Sequence, residues 1–211
     1  MTLHGEQISI VQMQKTNILV VATKNKGKVR EIKHVLKPLK LKIISLLDLP
    51  KFRDIRENGR TFRENAIKKA QTIAKRLNIK VLADDSGLEV KALKGKPGIR
   101  SARYAGPNPT TIRLCRKLLK EMKNKNDRRA KFTCVIAIAG PKMLRTVKGI
   151  CEGKLVFDMK GKHGFGYDPI FVPDGYKKTF AQMSLKLKNK ISHRGKALKK
   201  AKACLDRIFP S

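Results

Sequence analysis

The stretch Val81-Leu-Ala-Asp-Asp-Ser-Gly-Leu-Glu89 decides the fold class, because it places two adjacent carboxylates directly after an apolar run. The run at residues 81–83 is typical of a buried strand of an α/β protein, and we expect the backbone to leave the core at Asp84. Two neighbouring acids repel each other unless a cation or hydrogen bonds compensate them. We therefore interpret Asp84 and Asp85 as part of a metal site, with a helix N-cap as the alternative.

The segments around this stretch alternate between short apolar runs and helical patterns, which indicates an α/β fold with a mixed sheet and flanking helices. We interpret residues 1–15 as a variable extension and residues 16–211 as a single domain with two lobes around a cleft. Gly140-Pro141 is predicted to join two strands as a hairpin. Strands are predicted at residues 17–22, 41–46, 131–140 and 143–152, and helices from residue 61 onward and at residues 110–122 and 195–208.

The composition is strongly basic, with 50 Lys and Arg against 16 Asp and Glu, for a net charge of +34 over 211 residues. Such a charge attracts polyanions, although the basic residues are spread along the chain and simple solvation of the surface is the alternative. Aromatic residues are scarce, so platforms for stacking single-stranded nucleic acid are not evident. The four cysteines form no paired spacing, and no apolar run reaches the roughly 20 residues of a membrane span. We therefore expect reduced thiols, no zinc site, no secretory signal, no membrane partner and a cytoplasmic location.

A polar loop between the first strand and the next helical pattern is the first candidate for substrate binding. Thr23-Lys-Asn-Lys-Gly-Lys28 would aim backbone N–H groups and a helix N-terminus at a phosphate, and Lys24, Lys26 and Lys28 would add charge-assisted bonds. The glycine spacing is not that of a Walker A loop, and a plain turn with solvated lysines is the alternative. Glu57 precedes the helix that starts near Thr61 and could reach the carboxylate pair across the cleft.

Two strings in the last third of the chain also combine chemistry-bearing residues. Gly164-Phe-Gly-Tyr-Asp-Pro-Ile-Phe171 joins glycines, which permit close backbone approach, to aromatic rings and an acid. In it, Phe165 could stack on a base. Lys188-Asn-Lys-Ile-Ser-His-Arg194 places several hydrogen-bond donors at a helix start. Each string has a structural alternative, with Phe165 in the core, Ser192 as an N-cap and His193 on the surface.

Taken together and in order, six motifs resemble the inosine/xanthosine triphosphate pyrophosphatase family, and the resemblance extends from about residue 18 to residue 205. The motifs are T-x-N-x-x-K at 23–28, T-F-x-E-N-A-x-x-K-A at 61–70, L-A-D-D-S-G-L-E-V at 82–90, S-A-R-Y-A-G at 101–106, G-F-G-Y-D-P-I-F at 164–171 and I-S-H-R-G-K-A-L at 191–198.

The resemblance implies an elongated α/β fold, a homodimer and Mg²⁺-dependent cleavage of a purine nucleoside triphosphate into monophosphate and pyrophosphate. It implies that Glu57 and Asp85 hold the metal and that Asp85 also accepts the proton of the attacking water. The residues assigned to the substrate phosphates are Thr23, Lys24, Asn25, Lys26, Gly27, Lys28, Lys69 and Ser86. Those assigned to the base are Phe165, Gly166, Tyr167, Asp168, Lys188, His193 and Arg194.

The residue types agree with this chemistry. Triphosphate hydrolysis needs charge neutralisation and an aligned water, which carboxylates, Mg²⁺ and lysines supply. The donors of Lys188, His193 and Arg194 would suit the 6-oxo group of hypoxanthine or xanthine and mismatch the amino group of adenine. Two other functions stay open on the sequence alone: a basic nucleic-acid-binding protein without pyrophosphatase activity, and a pyrophosphatase for pyrimidine or modified bases.

Overall fold

The computed structural model describes residues 17–49, 52 and 55–209, and the predicted extension at residues 1–15 lies outside them. Within this part, the strands form one six-stranded sheet in the order β2-β1-β3-β4-β5-β6. β1 pairs in parallel with β2 and with β3, whereas the pairings β3–β4, β4–β5 and β5–β6 are antiparallel. The predicted mixed sheet is therefore confirmed. The strands are β1 Ile18–Val21, β2 Lys42–Ser45, β3 Val81–Val90, β4 Arg129–Gly140, β5 Met143–Leu155 and β6 Phe171–Pro173.

The five helices of the described part cover both faces of the sheet. Each begins at a polar residue whose side chain accepts a bond from a backbone N–H of the first turn, as N-caps do. The helix predicted at residues 195–208 starts earlier, at His193, because Ser192 accepts from Gly195 N and caps it. The helices are α1 Lys26–Leu36, α2 Phe62–Leu77, α3 Thr111–Glu121, α4 Leu185–Ile191 and α5 His193–Ile208.

The prediction that the strand ends where the acids begin was wrong. β3 runs on to Val90, and Asp84 and Asp85 lie inside it, paired with Ile136 and Val135 of β4. Both are buried, at 1% and 5% exposure. The strand continues because β4 supplies a hydrogen-bonding partner over its whole length and because buried cations compensate the two charges.

Alternation along β3 sends its side chains to different helices. Successive residues of a strand point to opposite faces, so Val81 and Ala83 pack on the face that α2 covers. Leu82 packs on the other face, among residues of α1 and α5. The two acids continue the same alternation, and each therefore meets a different set of cations.

Candidate active site

One cleft of about 230 Å³ collects most of the predicted site residues. It runs past the middle of β3 and is closed on one side by the 3₁₀ turn at Gly98–Arg103. The predicted residues that line it are Asn25, Lys28, Glu57, Asp85, Ser86, Phe165, Gly166, Tyr167, Asp168, Lys188, His193 and Arg194. The remaining predicted residues, which do not line it, are Thr23, Lys24, Lys26, Gly27 and Lys69.

Lys69, which does not line the cleft, pairs with both predicted metal-binding carboxylates. Its Nζ lies 2.5 Å from Glu57 Oε1 and 3.6 Å from Asp85 Oδ1, and it also donates to the carbonyl of Asp84. Arg103 reaches the other oxygen of Glu57 at 3.3 Å. Burial raises the pKa of Asp85 despite the nearby Lys69 and Lys28 cations. Lys69 thus lies between Glu57 and Asp85, and a direct approach of Glu57 to the carboxylate pair stays a prediction.

Asp84 sits on the opposite face of β3, in a buried ionic cluster. Arg194 Nε donates to Asp84 Oδ2 at 3.1 Å, Lys28 pairs with Oδ1, and the Cys134 thiol also donates to Oδ2. Burial opposes ionisation, but Arg194 and Lys28 outweigh it and hold the pKa of Asp84 well below its usual range. Asp84 therefore stays ionised and fixes the cations that lie beside the cleft.

Glu31 completes this cluster, and the sequence reading missed it. It is 1% exposed on α1 and accepts from Arg194 Nη1 at 2.5 Å and from Lys188 Nζ at 2.7 Å. Burial opposes its ionisation, but Arg194 and Lys188 lower the pKa of Glu31 below its usual value. One signal could have indicated it, because Glu31 is the only acid in a helix whose other charged residues are basic.

Lys188 and Arg194, two of the predicted base donors, already donate hydrogen bonds to protein groups. Lys188 Nζ also donates to Asp168 Oδ2 at 2.5 Å, and Arg194 Nη2 donates to Ser86 Oγ at 2.7 Å. Lysine carries three donors and arginine five, so protein partners occupy two and three of them. Within the described residues, one N–H of Lys188 and two of Arg194 have no hydrogen-bond acceptor, and the Lys188 ammonium also lies over the ring of Phe165.

The aromatic residues of the base side have different roles. The His193 ring stacks on Phe132 with centroids 4.5 Å apart, and burial together with Arg194 and Lys188 keeps the pKa of His193 well below its usual value. Its imidazole is therefore neutral. Tyr167 is anchored by its hydroxyl, which donates to the carbonyl of Ser101 at 3.0 Å. The cations of Lys188 and Arg194 lie over the ring of Phe165, 4.8 and 5.5 Å from its centroid.

The predicted phosphate loop is a capped helix start. Thr23 Oγ1 accepts from Asn25 N, and Asn25 Oδ1 accepts from Lys28 N as the N-cap of α1. Gly27 packs directly against the ring of Phe165, so a Cβ there would overlap the ring. The glycine therefore lets the first turn of α1 meet the aromatic wall of the cleft.

The sequence and structure of the chain place it in a known family. The pattern that defines the Ham1 family matches residues 19–204. The chain belongs to the Ham1 family. This confirms the resemblance that the six motifs indicated. A relative in Desulforamulus reducens, named dITP/XTP pyrophosphatase, is 50% identical and covers 90% of this chain and 96% of its own length. A second of that name, in Desulfotalea psychrophila, is 49% identical over 88% of this chain and 84% of its own.

Solved structures of Ham1 proteins share the fold. The Ham1 protein of Staphylococcus aureus matches with a TM-score of 0.80 and 44% identity, over 90% of this chain and 99% of that one. The HAM1 protein of Coxiella burnetii matches with a TM-score of 0.81 and 39% identity, over 90% and 98% of the two chains. The predicted α/β class is therefore confirmed.

The donor set of this Ham1 chain fits Mg²⁺. The described residues contain no cluster of three His, Cys, Asp or Glu side chains arranged to hold a metal, but Mg²⁺ is commonly bound by one or two carboxylates together with water and substrate phosphates. Asp85 Oδ2 is buried and has no hydrogen-bond partner among the described residues. A buried carboxylate oxygen without a partner is costly, and a cation or its bound water would satisfy it.

Proposed function

We propose that this chain hydrolyses non-canonical purine nucleoside triphosphates, namely ITP, dITP and XTP, to the nucleoside monophosphate and pyrophosphate. One observation carries the proposal: a single cleft joins the Glu57–Asp85 carboxylates to the buried donors of Lys188 and Arg194. The first suits a triphosphate and the second suits an oxo-purine. The names of the relatives in D. reducens and D. psychrophila support the same activity.

In the proposed reaction, water breaks the anhydride bond that joins the α- and β-phosphates, and the released proton must be accepted. Asp85 Oδ2 is the available acceptor, because it lines the cleft without a hydrogen-bond partner in the described part. Lys28 lines the same cleft and would hold the phosphates, while Lys69 keeps Glu57 and Asp85 oriented. Mg²⁺, held by Glu57 and Asp85, would neutralise charge on the phosphates.

Base selection would follow from the donors that remain on Lys188 and Arg194. A 6-oxo group can accept from them, whereas the 6-amino group of adenine brings another donor and leaves both sides unpaired. Such a buried mismatch of hydrogen-bonding groups discriminates far more strongly than apolar shape does. Phe165 lines the same cleft beside the two cations and would contact the base.

The test is pyrophosphate release from dITP and dATP in parallel, with and without Mg²⁺. Rapid release from dITP alone, and only with Mg²⁺, is expected. Equal rates on both nucleotides would contradict the role of Lys188 and Arg194, and metal-independent release would contradict the role of Glu57 and Asp85.

The homodimer and the cytoplasmic location belong to this proposal as well. The mass in solution, measured by light scattering, tests the dimer, and cell fractionation tests the location. None of the helices in the described part is long and apolar enough to cross a membrane. The alternative of a nucleic-acid-binding protein without pyrophosphatase activity is not favoured, because relatives near 50% identity carry the name of the enzyme.

A further inference from the structure

A second and larger concavity lies on the other side of the Gly98–Arg103 turn. It has a volume of about 930 Å³ and shares Ile99 with the active cleft. Its walls come from the segment before α2, from residues 94–104 and from α3. It is not the catalytic site, because neither Asp85 nor any residue of the buried ionic cluster lines it. We call it the basic groove.

The basic groove is strongly positive. Six exposed cations line it against two carboxylates, Glu89 and Glu121. Both carboxylates are engaged, since Glu89 accepts from the Thr133 hydroxyl and Glu121 accepts from the Tyr104 hydroxyl. The two carboxylates offset only part of the charge of the six cations, so the groove keeps an excess of positive charge. The six cations are Arg60, Lys94, Lys96, Arg100, Arg103 and Lys117.

Most of these cations are available to a ligand. Arg103 pairs with Glu57, and Lys117 donates to the carbonyl of Tyr104. The side chains of the other four form no ion pair or hydrogen bond with any residue that the structure describes. These four are Arg60, Lys94, Lys96 and Arg100. Like charges that converge without partners favour the binding of an anion that spans them.

The groove offers charge, and the two aromatic residues among its described lining are both partly buried. The Nζ of Lys117 covers the ring of Tyr104, 4.6 Å from its centroid. Phe62, the first residue of α2, packs against the core. Single-stranded nucleic acids are held by stacking on exposed rings as well as by charge, so this surface suits a chain of phosphates without bases.

We propose that the basic groove binds linear inorganic polyphosphate. The cations contributed by three segments of the chain would contact successive phosphates of an extended polyanion along the groove. The inference goes beyond the proposed hydrolysis and does not depend on it, because the four unpaired cations lie outside the active cleft.

The test is the binding of medium-chain sodium polyphosphate to the full-length protein, measured by calorimetry at low and at physiological salt. Affinity should fall as salt rises, because binding displaces counterions. The triple variant Lys94→Glu/Lys96→Glu/Arg100→Glu should lose at least about tenfold in affinity, since each lost cation–phosphate contact weakens binding. Its hydrolysis of dITP should stay unchanged, and circular dichroism should show an intact fold.

The matched control reverses three lysines elsewhere, in Lys196→Glu/Lys199→Glu/Lys200→Glu. These exposed lysines of α5 border another basic concavity, together with Lys148 of β5. The net charge falls equally in both variants, so the control should keep polyphosphate affinity within about threefold of the wild type. Equal losses in the two variants would reduce the effect to net charge and overturn the proposal.

Two further results would also overturn it. One is the absence of polyphosphate binding at physiological salt, whatever the dITP activity. The other is binding of a single-stranded oligonucleotide in the groove as tightly as polyphosphate, with the same loss in the groove variant. A wild-type protein that binds polyphosphate but does not hydrolyse dITP would contradict the proposed function and leave the groove proposal supported.

Discussion

Asp84 and Asp85 are neighbours in the chain, but they point to opposite faces of the sheet and meet different cations. Asp84 is held by Arg194 and Lys28, whereas Asp85 faces Lys69 and the cleft. Alternation along the strand separates the two charges, so their mutual repulsion is reduced without a shared metal ion. The adjacent carboxylates thus have separate tasks, one in the structure of the site and one facing the substrate.

The isosteric variants Asp85→Asn and Asp84→Asn should separate these tasks. Asp85→Asn removes the proton acceptor, so kcat for pyrophosphate release should fall by at least about 100-fold, the usual contribution of a positioned base. Its unfolding free energy should change little. Asp84→Asn deprives Arg194 and Lys28 of an anionic partner and should cost about 3 kcal/mol of stability. Urea unfolding and initial rates measure both, and a stable, fully active Asp85→Asn protein would refute the assignment.

Glu31→Gln should lower the stability of the fold in a pH-dependent way. Breaking a buried ion pair on one side costs about 3 kcal/mol, because Arg194 and Lys188 each lose a partner. The folded pKa of Glu31 lies below its unfolded value, so its stabilising contribution is complete above the unfolded value and is lost as pH falls through the folded one.

The difference in unfolding free energy between wild type and Glu31→Gln should therefore be largest near neutral pH and shrink in acid. Urea denaturation across this range measures it. The control is Glu152→Gln, an exposed position on β5, which should follow the wild-type curve. A constant difference at every pH would show that Glu31 does not act through its charge.

Local patterns predicted most of the elements of this fold. The apolar run of β1, the hairpin of β4 and β5, and the stripe of α2 are all patterns of residues that are close together in the sequence. The length of β3 was not visible in this way, because the strand is stabilised by pairing with β4 and by Arg194, which lies 110 positions beyond Asp84. Two adjacent carboxylates can lie inside a buried strand only when residues distant in the sequence supply cations or hydrogen bonds that compensate their charge.

Most of the residues that line the cleft were predicted from the sequence, but the ion pairs that connect them were not. The motifs indicated which residues converge on the cleft, but ion pairs between α1, α4 and α5 depend on helix packing that sequence spacing does not encode. Glu31 was missed for this reason, and so was the pairing of Lys69 with Glu57 and Asp85. A family resemblance transfers residue roles but not the partners that hold each residue in place.

Glu57→Gln should weaken metal binding more than it weakens nucleotide binding. The neutral amide is a poorer Mg²⁺ ligand than a carboxylate, so the Mg²⁺ concentration for half-maximal activity should rise by roughly tenfold. Lys69 and Arg103 also lose an anionic partner, so stability should be compared at the same time. Isothermal titration with Mn²⁺ gives a readout that is independent of turnover. Unchanged metal affinity would exclude Glu57 as a ligand.

Lys188→Met should reduce discrimination between bases while leaving the phosphate end of the cleft intact. The ammonium of Lys188 is held by Glu31 and Asp168, and its remaining donor is the one proposed to meet the 6-oxo group. Loss of this bond should lower kcat/KM for dITP by about 10- to 100-fold, within the range for a hydrogen bond to a charged donor. The rate on dATP should change less, so the ratio of the two should fall. Lys186→Met, at an exposed position of the same helix, should keep the wild-type ratio. An equal loss on both nucleotides would mean that Lys188 supports the fold of the site rather than the choice of base.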